Sequence, residues 1–193
     1  QFRRTNDFTL AIEGRNYPSK YPDSAIALEK LEKSPEKSAS TILRNCKGTC
    51  AFVIAASDSL IIGRDALGLE PLYFGKSESL FAFATERKAL WKLGLSKVEP
   101  FPPGNIAAVE DNARFAFRHV RTVEQPALKQ PDMGSAAKHL QTLLAQSTKD
   151  RIFGIEEVAI AFSGGLDSSL VGFLAQRYND EVRLLNVGLE NLP

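Results

Sequence analysis

The sequence predicts an α+β fold built on antiparallel sheets, followed by the start of an α/β domain with a parallel sheet. Over the first hundred residues, short apolar runs alternate with turn-forming residues at hairpin spacing. After residue 133 the order becomes helix, apolar strand, glycine-rich turn, helix and strand, which is typical of a βαβ unit. A stretch with two prolines and no periodicity separates the two parts. We therefore expect one domain over residues 1–120, a linker over 121–133 and a second domain over 134–193.

Three pairs of apolar runs in the first part are spaced as β-hairpins. The first pair joins Cys50–Ala56 to Leu60–Gly63 across a turn of three polar residues. Because Cys50–Ala56 is apolar throughout, we expect that strand to be buried on both faces. The remaining predicted elements are hairpins of 72–74 with 80–84 and 106–109 with 114–117, a strand over 9–12, and helices over 26–33, capped by Asp23 or Ser24, and 85–93.

The second part contains an amphipathic helix and one βαβ unit. Apolar residues recur at helical spacing between 136 and 147, and the unit follows as strand 158–162, a helix from about 168 to 178 and strand 182–187. A parallel strand is normally followed by a crossover helix, yet only six residues remain after the last strand. Since residue 1 is Gln and core strands begin almost at once, we expect the sequence to be a fragment or a partly ordered chain.

Composition excludes several classes of protein. Of 193 residues, 44% are apolar and 24% charged, which is ordinary for a globular protein, and the net charge of +1 offers no broad surface for nucleic acid. No apolar run approaches the roughly 20 residues that a membrane helix needs. The two cysteines, Cys46 and Cys50, are too few for a structural zinc site, so we interpret them as buried, reduced thiols of a cytoplasmic protein.

A glycine- and serine-rich segment between strand 158–162 and the following helix has the chemistry of a phosphate loop. Its two glycines let the backbone approach an anion closely, and the free amides at the helix start attract negative charge. Three serine hydroxyls add hydrogen-bond donors, while Asp167 either caps the helix or holds Mg²⁺ against a nucleotide. The alternative is an ordinary strand-to-helix turn, for which one glycine suffices. The segment consists of Ser163, Gly164, Gly165, Leu166, Asp167, Ser168 and Ser169.

This segment resembles the pyrophosphate-binding loop of the N-type ATP pyrophosphatases, Ser-Gly-Gly-Xaa-Asp-Ser-Ser. The resemblance implies that ATP and Mg²⁺ are cofactors, and that ATP is cut between its α and β phosphates to give AMP and pyrophosphate. It also implies that the seven loop residues hold the pyrophosphate and that Ala161 and Val187 lie beside the adenine. Core packing is the structural alternative for Ala161 and Val187.

Three upstream segments narrow the family further. Leu60–Gly75 looks like the Gly-Arg-Asp-Xaa-Xaa-Gly-Xaa-Xaa-Pro-Leu-Tyr signature of class II glutamine amidotransferases, and Ala82–Leu90 and Pro100–Gly104 resemble two further segments of that domain. Followed by the phosphate loop, the combination resembles asparagine synthetase over nearly the whole chain. The resemblance implies a fold of the N-terminal nucleophile type, with the C-terminal part of an amidotransferase domain preceding the start of an ATP pyrophosphatase domain. For Arg64 and Asp65, we expect a structural ion pair beside a turn at Gly68.

The sequence departs from this family at the glutaminase site. The family nucleophile is an N-terminal cysteine, whereas residue 1 is Gln, so no catalytic residue is visible. Where the family carries Asn-Gly-Glu, this chain has Glu13-Gly14-Arg15, and an ionised Glu13 can only accept hydrogen bonds. Gly14 and Asp23 remain the candidate glutamine-binding residues.

The resemblance implies an ATP-dependent carbon–nitrogen ligase that amidates aspartate through β-aspartyl-AMP, with nitrogen from glutamine or ammonia. An alternative is an amide-forming ligase like the β-lactam synthetases, without glutaminase activity, and a third is a non-catalytic ATP-binding remnant. The partners implied are small molecules (aspartate, glutamine or ammonia), not nucleic acid or membrane. The residues do not indicate an oligomeric state, and a homo-oligomer is compatible with them.

Overall fold

The chain forms two compact units, one of residues 1–16 and 21–125 and the other of residues 17–20 and 126–193. The structure, a computed structural model, describes residues 2–4, 8–18, 34–57, 59–109, 114–124 and 131–188. The helix expected over 26–33 lies outside the described residues, as does the candidate residue Asp23.

Antiparallel pairing organises the first unit, as the hairpin spacing predicts. Its larger sheet has six strands in the order β1-β2-β3-β4-β8-β9, and a smaller sheet has the order β6-β5-β7. The three predicted hairpins are confirmed as β3–β4, β5–β6 and β8–β9. The strands are β1 Phe2–Arg4, β2 Thr9–Arg15, β3 Thr49–Ala55, β4 Leu60–Arg64, β5 Tyr73–Lys76, β6 Phe81–Ala84, β7 Val98–Pro100, β8 Asn105–Val109 and β9 Phe115–His119.

Strand β3 lies between two hydrophobic clusters, which confirms its predicted burial on both faces. Side chains alternate across a strand, and Phe52 and Ile54 face one cluster whereas Ala51 faces the other. The first cluster also contains apolar residues of helix α1 (Pro35–Asn45), and the second contains Leu72 and Phe101, close to the smaller sheet. Full burial of a side chain of this size contributes about 1.5–3 kcal/mol, so substitution in β3 weakens both clusters.

Helix α1 covers the first cluster and was not predicted from the sequence. It begins after Ser34 with Pro35 in its first turn, where a missing N–H costs no helical hydrogen bond. At its other end the guanidinium of Arg121 donates to the carbonyl oxygens of Leu43 and Cys46, which satisfies acceptors that the helix leaves open. The second helix of this unit, α2, spans Arg87–Lys92, inside the predicted range of 85–93.

The two cysteines are buried and free, as expected. Cys46 follows the end of α1 and Cys50 lies in β3, and their thiols are hydrogen-bonded to each other. That hydrogen bond lowers the pKa of Cys46 and raises the pKa of Cys50, and burial raises the pKa of Cys50 further. Cys50 therefore stays a neutral thiol in the folded protein.

Arg64 and Asp65 shape the connection between β4 and β5, but the ion pair expected between them is wrong. The Arg64 guanidinium donates to three carbonyl oxygens, those of Gly68 (2.6 Å), Glu70 (2.7 Å) and Phe101 (2.8 Å). The Asp65 carboxylate, 2% exposed, accepts from the amides of Leu67 (3.1 Å), Leu69 (3.0 Å) and Glu70 (2.9 Å). Because each charge is saturated by backbone dipoles, neither side chain needs the other. The expected turn at Gly68 is present, with its N–H donating to Asp65 O at 3.1 Å.

The second unit contains the predicted long helix and βαβ unit. Helix α3 spans Met133–Ile152, and its N-cap Asp132 accepts from the amide of Ser135 at 3.0 Å. Strand β10 (Val158–Ala161) and strand β11 (Val182–Leu185) pair in parallel, with helix α4 (Leu166–Gln176) between them in the chain. No helix within the described ranges is long and apolar enough to cross a membrane.

Candidate functional site

The predicted phosphate loop lies at the carboxyl end of β10 and leads directly into α4. Gly164 has φ +78°, a left-handed conformation that favours glycine, and a Cβ built there meets no atom of the described residues within 4 Å. The loop is therefore sharply turned while the space above it stays open. Residues Ser163–Ser169 are contiguous here, and all except half-buried Ser168 are exposed.

The amides at the start of α4 are available to an anion. The N-cap residue is Gly165, which has no side chain to accept hydrogen bonds from these amides. The first amide with a partner inside the helix is that of Ser169, which donates to Gly165 O at 3.1 Å. The serine hydroxyls meanwhile bond within the loop. Ser168 and Ser169 both donate to Gly165 O, at 3.1 and 2.8 Å, and Ser163 Oγ lies 3.2 Å from Ser168 Oγ. These weak local bonds hold the hydroxyls around the loop.

Asp167 does not cap helix α4, so that interpretation is wrong. The helix begins two residues earlier than expected, at Leu166, and Asp167 lies inside the first turn. An acidic side chain there interacts favourably with the helix dipole. Among the described residues, no group of three or more His, Cys, Asp or Glu side chains is arranged to hold a metal ion. A cation at Asp167 would therefore need further ligands from a bound nucleotide or water.

Ala161 and Val187 lie at the carboxyl ends of the two parallel strands. Ala161 pairs with Leu185, and Val187 follows two residues later with 94% of its surface exposed. Core packing of these residues, the structural alternative, is not found in the described residues, because Ala161 is exposed as well. Ligands of open α/β sheets bind in the crevice outside these strand ends.

Asn186 was not singled out from the sequence. Its side-chain amide donates to Phe162 O at 2.7 Å, and the Phe162 amide donates to Leu185 O at 2.7 Å. These bonds tie the two strand ends together beneath the loop. A lone Asn after an apolar strand carries no signal for such a role.

The residues expected at the glutaminase site lie at the end of strand β2. Gly14 has φ +121°, and a Cβ there would lie 2.2 Å from Thr49 O, so only glycine fits. Gly14 lies opposite Cys50 in the pairing of β2 with β3, but the Cys50 carbonyl accepts from the Asp65 amide on the β4 side. Gly14 and Cys50 therefore form a non-hydrogen-bonded pair of the antiparallel ladder. The Gly14 N–H points away from β3, toward the side on which a ligand could accept its hydrogen bond.

Glu13 and Arg15 alternate with Gly14 along β2, so their side chains share one face of the strand, and both are exposed. Glu13 borders a cavity of about 260 Å³ whose walls include Val53, Leu72 and Phe83. Sequence reasoning missed this cavity, because its lining residues carry the same apolar pattern as the core.

Comparisons with known proteins match both parts of the chain. A family model described as a glutamine amidotransferase domain matches residues 7–92, and one described as asparagine synthase matches residues 139–193. The chain is 32% identical over 166 residues to a Methanocaldococcus jannaschii protein assigned as asparagine synthetase 1, and 31% identical over 150 residues to asparagine synthetase B of Escherichia coli. Human asparagine synthetase is 28% identical over 176 residues. These alignments cover 77%, 76% and 76% of this chain but 30%, 26% and 31% of the relatives, so the chain spans about 30% of their length.

Solved structures share the fold. A glutamine phosphoribosylpyrophosphate amidotransferase from B. subtilis superposes with a TM-score of 0.53 at 18% identity, covering 94% of this chain and 46% of that one. A structure titled as the allosteric regulatory enzyme of purine biosynthesis gives 0.52 at 19% identity, covering 95% and 46%. This likeness concerns the fold alone, and it confirms the predicted α+β class with antiparallel sheets. Given both family matches in their chain order and the 32% identity to a synthetase relative over 77% of this chain, the chain belongs to the asparagine synthetase family.

Proposed function

We propose that this chain belongs to an ATP-dependent carbon–nitrogen ligase that amidates the side-chain carboxylate of aspartate. In this proposal residues 1–120 are the C-terminal part of an amidotransferase domain, and residues 134–193 begin the domain that binds ATP. The loop Ser163–Ser169 holds the pyrophosphate moiety, and Ala161 and Val187 lie beside the adenine. Asp167 contributes one ligand to Mg²⁺.

The open glycine turn before α4 is the observation that carries the proposal. Amides without a helical partner and a left-handed glycine with no described atom within 4 Å of an added Cβ lie together at the carboxyl ends of two parallel strands, and three hydroxyls lie in the same loop. A helix start of this kind favours phosphate through its amides and its dipole. An ordinary connecting turn needs neither the second glycine nor the surrounding hydroxyls.

The chemistry follows from the poor reactivity of a carboxylate. A carboxylate oxygen of aspartate attacks the α-phosphorus of ATP, the bond to the β-phosphate oxygen breaks, and pyrophosphate leaves. Negative charge grows on the departing pyrophosphate, where the loop amides stabilise it. Mg²⁺, when bound, supplies further charge neutralisation there. Ammonia then attacks the acyl carbon, AMP leaves with its oxygen, and the nitrogen loses a proton to give the amide.

Glu13 favours a second candidate in which glutamine is not the nitrogen donor. An oxyanion requires hydrogen-bond donors, and the Glu13 carboxylate can only accept. The Gly14 N–H alone would remain to stabilise the oxyanion. Ammonia from solution, or an amine within the acceptor as in the β-lactam synthetases, fits this substitution better than glutamine.

The test measures pyrophosphate release by the full-length protein with ATP, Mg²⁺ and aspartate, supplying glutamine or ammonia. Asp167→Asn should lower release about tenfold or more with either donor, because it removes a charged ligand of the cation. Asp180→Asn is the matched control, since Asp180 is also an exposed aspartate of the second unit but precedes the amino end of β11, whereas Asp167 follows the carboxyl end of β10.

Each outcome has a distinct meaning. Release with both donors supports a complete glutamine-dependent synthetase, and release with ammonia alone supports a ligase without glutaminase activity. Equal release by Asp167→Asn and the wild type would refute the assignment of the loop. No release from the wild type with aspartate and either donor would refute aspartate as the acceptor.

A further inference from the structure

A polar groove of the first unit is lined by helix α1 and strand β9. Its volume is about 440 Å³. The helix residues that line it recur every three or four positions, so they share one face of α1. Three lining residues are cations and one is a carboxylate, which gives these side chains a net charge of about +2. The described lining residues of this α1–β9 groove are Glu36, Lys37, Ser40, Thr41, Arg44 and Arg118.

A buried hydroxyl holds Arg118 in place at the wall of the groove. Arg118 Nη2 donates to Ser40 Oγ at 2.8 Å and to Glu36 O at 3.5 Å. Ser40, 7% exposed, in turn donates its hydroxyl to Glu36 O at 2.7 Å. Both bonds of Arg118 use Nη2, and a guanidinium carries further N–H donors on Nε and Nη1. Because the side chain is already fixed, it loses less conformational entropy when those donors bind a ligand.

We propose that the α1–β9 groove binds a multivalent phosphate anion, with phosphate oxygens on Lys37, Arg44 and Arg118. Guanidinium groups match phosphate oxygens through paired donors, and an ammonium adds a point charge. Because the attraction grows with the charge of the ligand, a dianion or a larger anion is favoured over chloride. The groove has room for an anion as large as pyrophosphate, since a water molecule occupies only about 30 Å³ in the liquid.

This site is distinct from the phosphate loop. The groove belongs to the first unit of the chain, whereas Ser163–Ser169 belong to the second. The proposal therefore does not depend on the proposed function, and anion binding in the groove is expected whether or not the protein releases pyrophosphate from ATP.

The experiment is an NMR titration of the full-length protein, labelled at its threonine methyl groups, with sodium pyrophosphate. Thr41 lines the groove, and the phosphate loop contains no threonine, so the Thr41 methyl signal reports on the groove alone. Loss of one signal in Thr41→Ser assigns it. We expect a saturable shift with a dissociation constant on the order of 1 mM, and no saturable shift with sodium chloride at the same ionic strength. Glycerol 3-phosphate is a second arm: tighter binding of this ester supports a phosphate monoester as the ligand, and tighter binding of pyrophosphate supports an inorganic one.

Two substitutions should change the affinity in opposite directions. Arg44→Gln should weaken pyrophosphate binding about tenfold or more, because a charge-assisted hydrogen bond is lost. Its matched control is Lys92→Gln, which also removes one exposed positive charge from the last turn of a helix and should leave binding unchanged. Glu36→Gln removes a like charge from the lining and should tighten binding about threefold.

Four outcomes would overturn the proposal. They are the absence of a saturable Thr41 shift with either phosphate ligand, an equal response to chloride, equal affinity of Arg44→Gln and the wild type, and weaker binding by Glu36→Gln. Where Arg44→Gln fails to fold by circular dichroism, Glu36→Gln and the chloride titration of the wild type decide.

Discussion

Gly164→Ala tests whether the predicted phosphate loop needs glycine at 164 for its backbone conformation or for the space that a phosphate occupies. Two glycines in the chain share the same local geometry, Gly164 with φ +78° and Gly94 with φ +82°. At both positions an added Cβ meets no atom within 4 Å in the part of the chain that the structure describes. Gly94 follows helix α2 in the first unit, far along the chain from the loop. Gly94→Ala is therefore a matched control for strain.

The expected magnitude follows from these geometries. Steric contact costs nothing at either site, so only the left-handed conformation penalises alanine, by about 1–2 kcal/mol. Domains are usually stable by about 5–15 kcal/mol, so both variants should fold. The Cβ at 164, however, projects into the space above the loop that a phosphate would occupy. We expect Gly164→Ala to weaken ATP binding about tenfold or more, which corresponds to about 1.4 kcal/mol, and Gly94→Ala to leave it unchanged.

The assay pairs urea unfolding with a fluorescent-nucleotide titration of each full-length variant. Both variants should lose similar stability, and only Gly164→Ala should lose affinity for the nucleotide. Equal nucleotide affinity for both variants would show that the space above Gly164 is not the phosphate site. A much larger loss of stability for Gly164→Ala would show instead that the loop is a structural turn.

Two further predictions concern stability. Asp65→Ala should lower the free energy of unfolding by about 3 kcal/mol, because three backbone amides lose their acceptor. Asp65→Asn keeps one acceptor oxygen and should lose less, and equal losses in urea melts would contradict this account. The Ser135 hydroxyl and amide donate to Asp132 and lower its pKa. The cap therefore stabilises α3 fully above a pH of about 3.9, the usual pKa of Asp, and is lost as the pH falls through the lower pKa of the folded state. An NMR titration of the Asp132 side chain with a midpoint at or above 3.9 would refute this.

Hairpin spacing and the βαβ pattern predicted most of the fold correctly, because both depend on local sequence. The run Cys50–Ala56 has no polar side chain that could face solvent, and the structure places a hydrophobic cluster on each of its faces. Helix α1 was missed because its sequence, PEKSASTILRN, has only a short apolar stretch. Its stability comes from burial of Ile42 and Leu43 against β-strands distant in the chain, which local sequence does not reveal.

The candidate site likewise combines features that local sequence predicts with features that depend on residues distant in the chain. Two glycines and three serines predicted a phosphate loop from the sequence, and the structure adds that the space above Gly164 is open among the described residues. The partners of Arg64 could not be predicted, because they are carbonyl oxygens up to 37 residues away in the chain. Nor could the cavity beside Glu13, because it exists only where one sheet packs over another.

The backbone bonding of Arg64 and Asp65 has a consequence for how this family can vary. The two buried residues specify the shape of the connection from 65 to 70 through main-chain atoms, which every residue except proline supplies in full. The side chains of Leu67 and Leu69, 61% and 60% exposed, take no part in it. The connection can therefore accept substitutions at positions 67 and 69 without a change in its backbone path. The chemistry of this surface can thus diverge among relatives while its geometry stays the same.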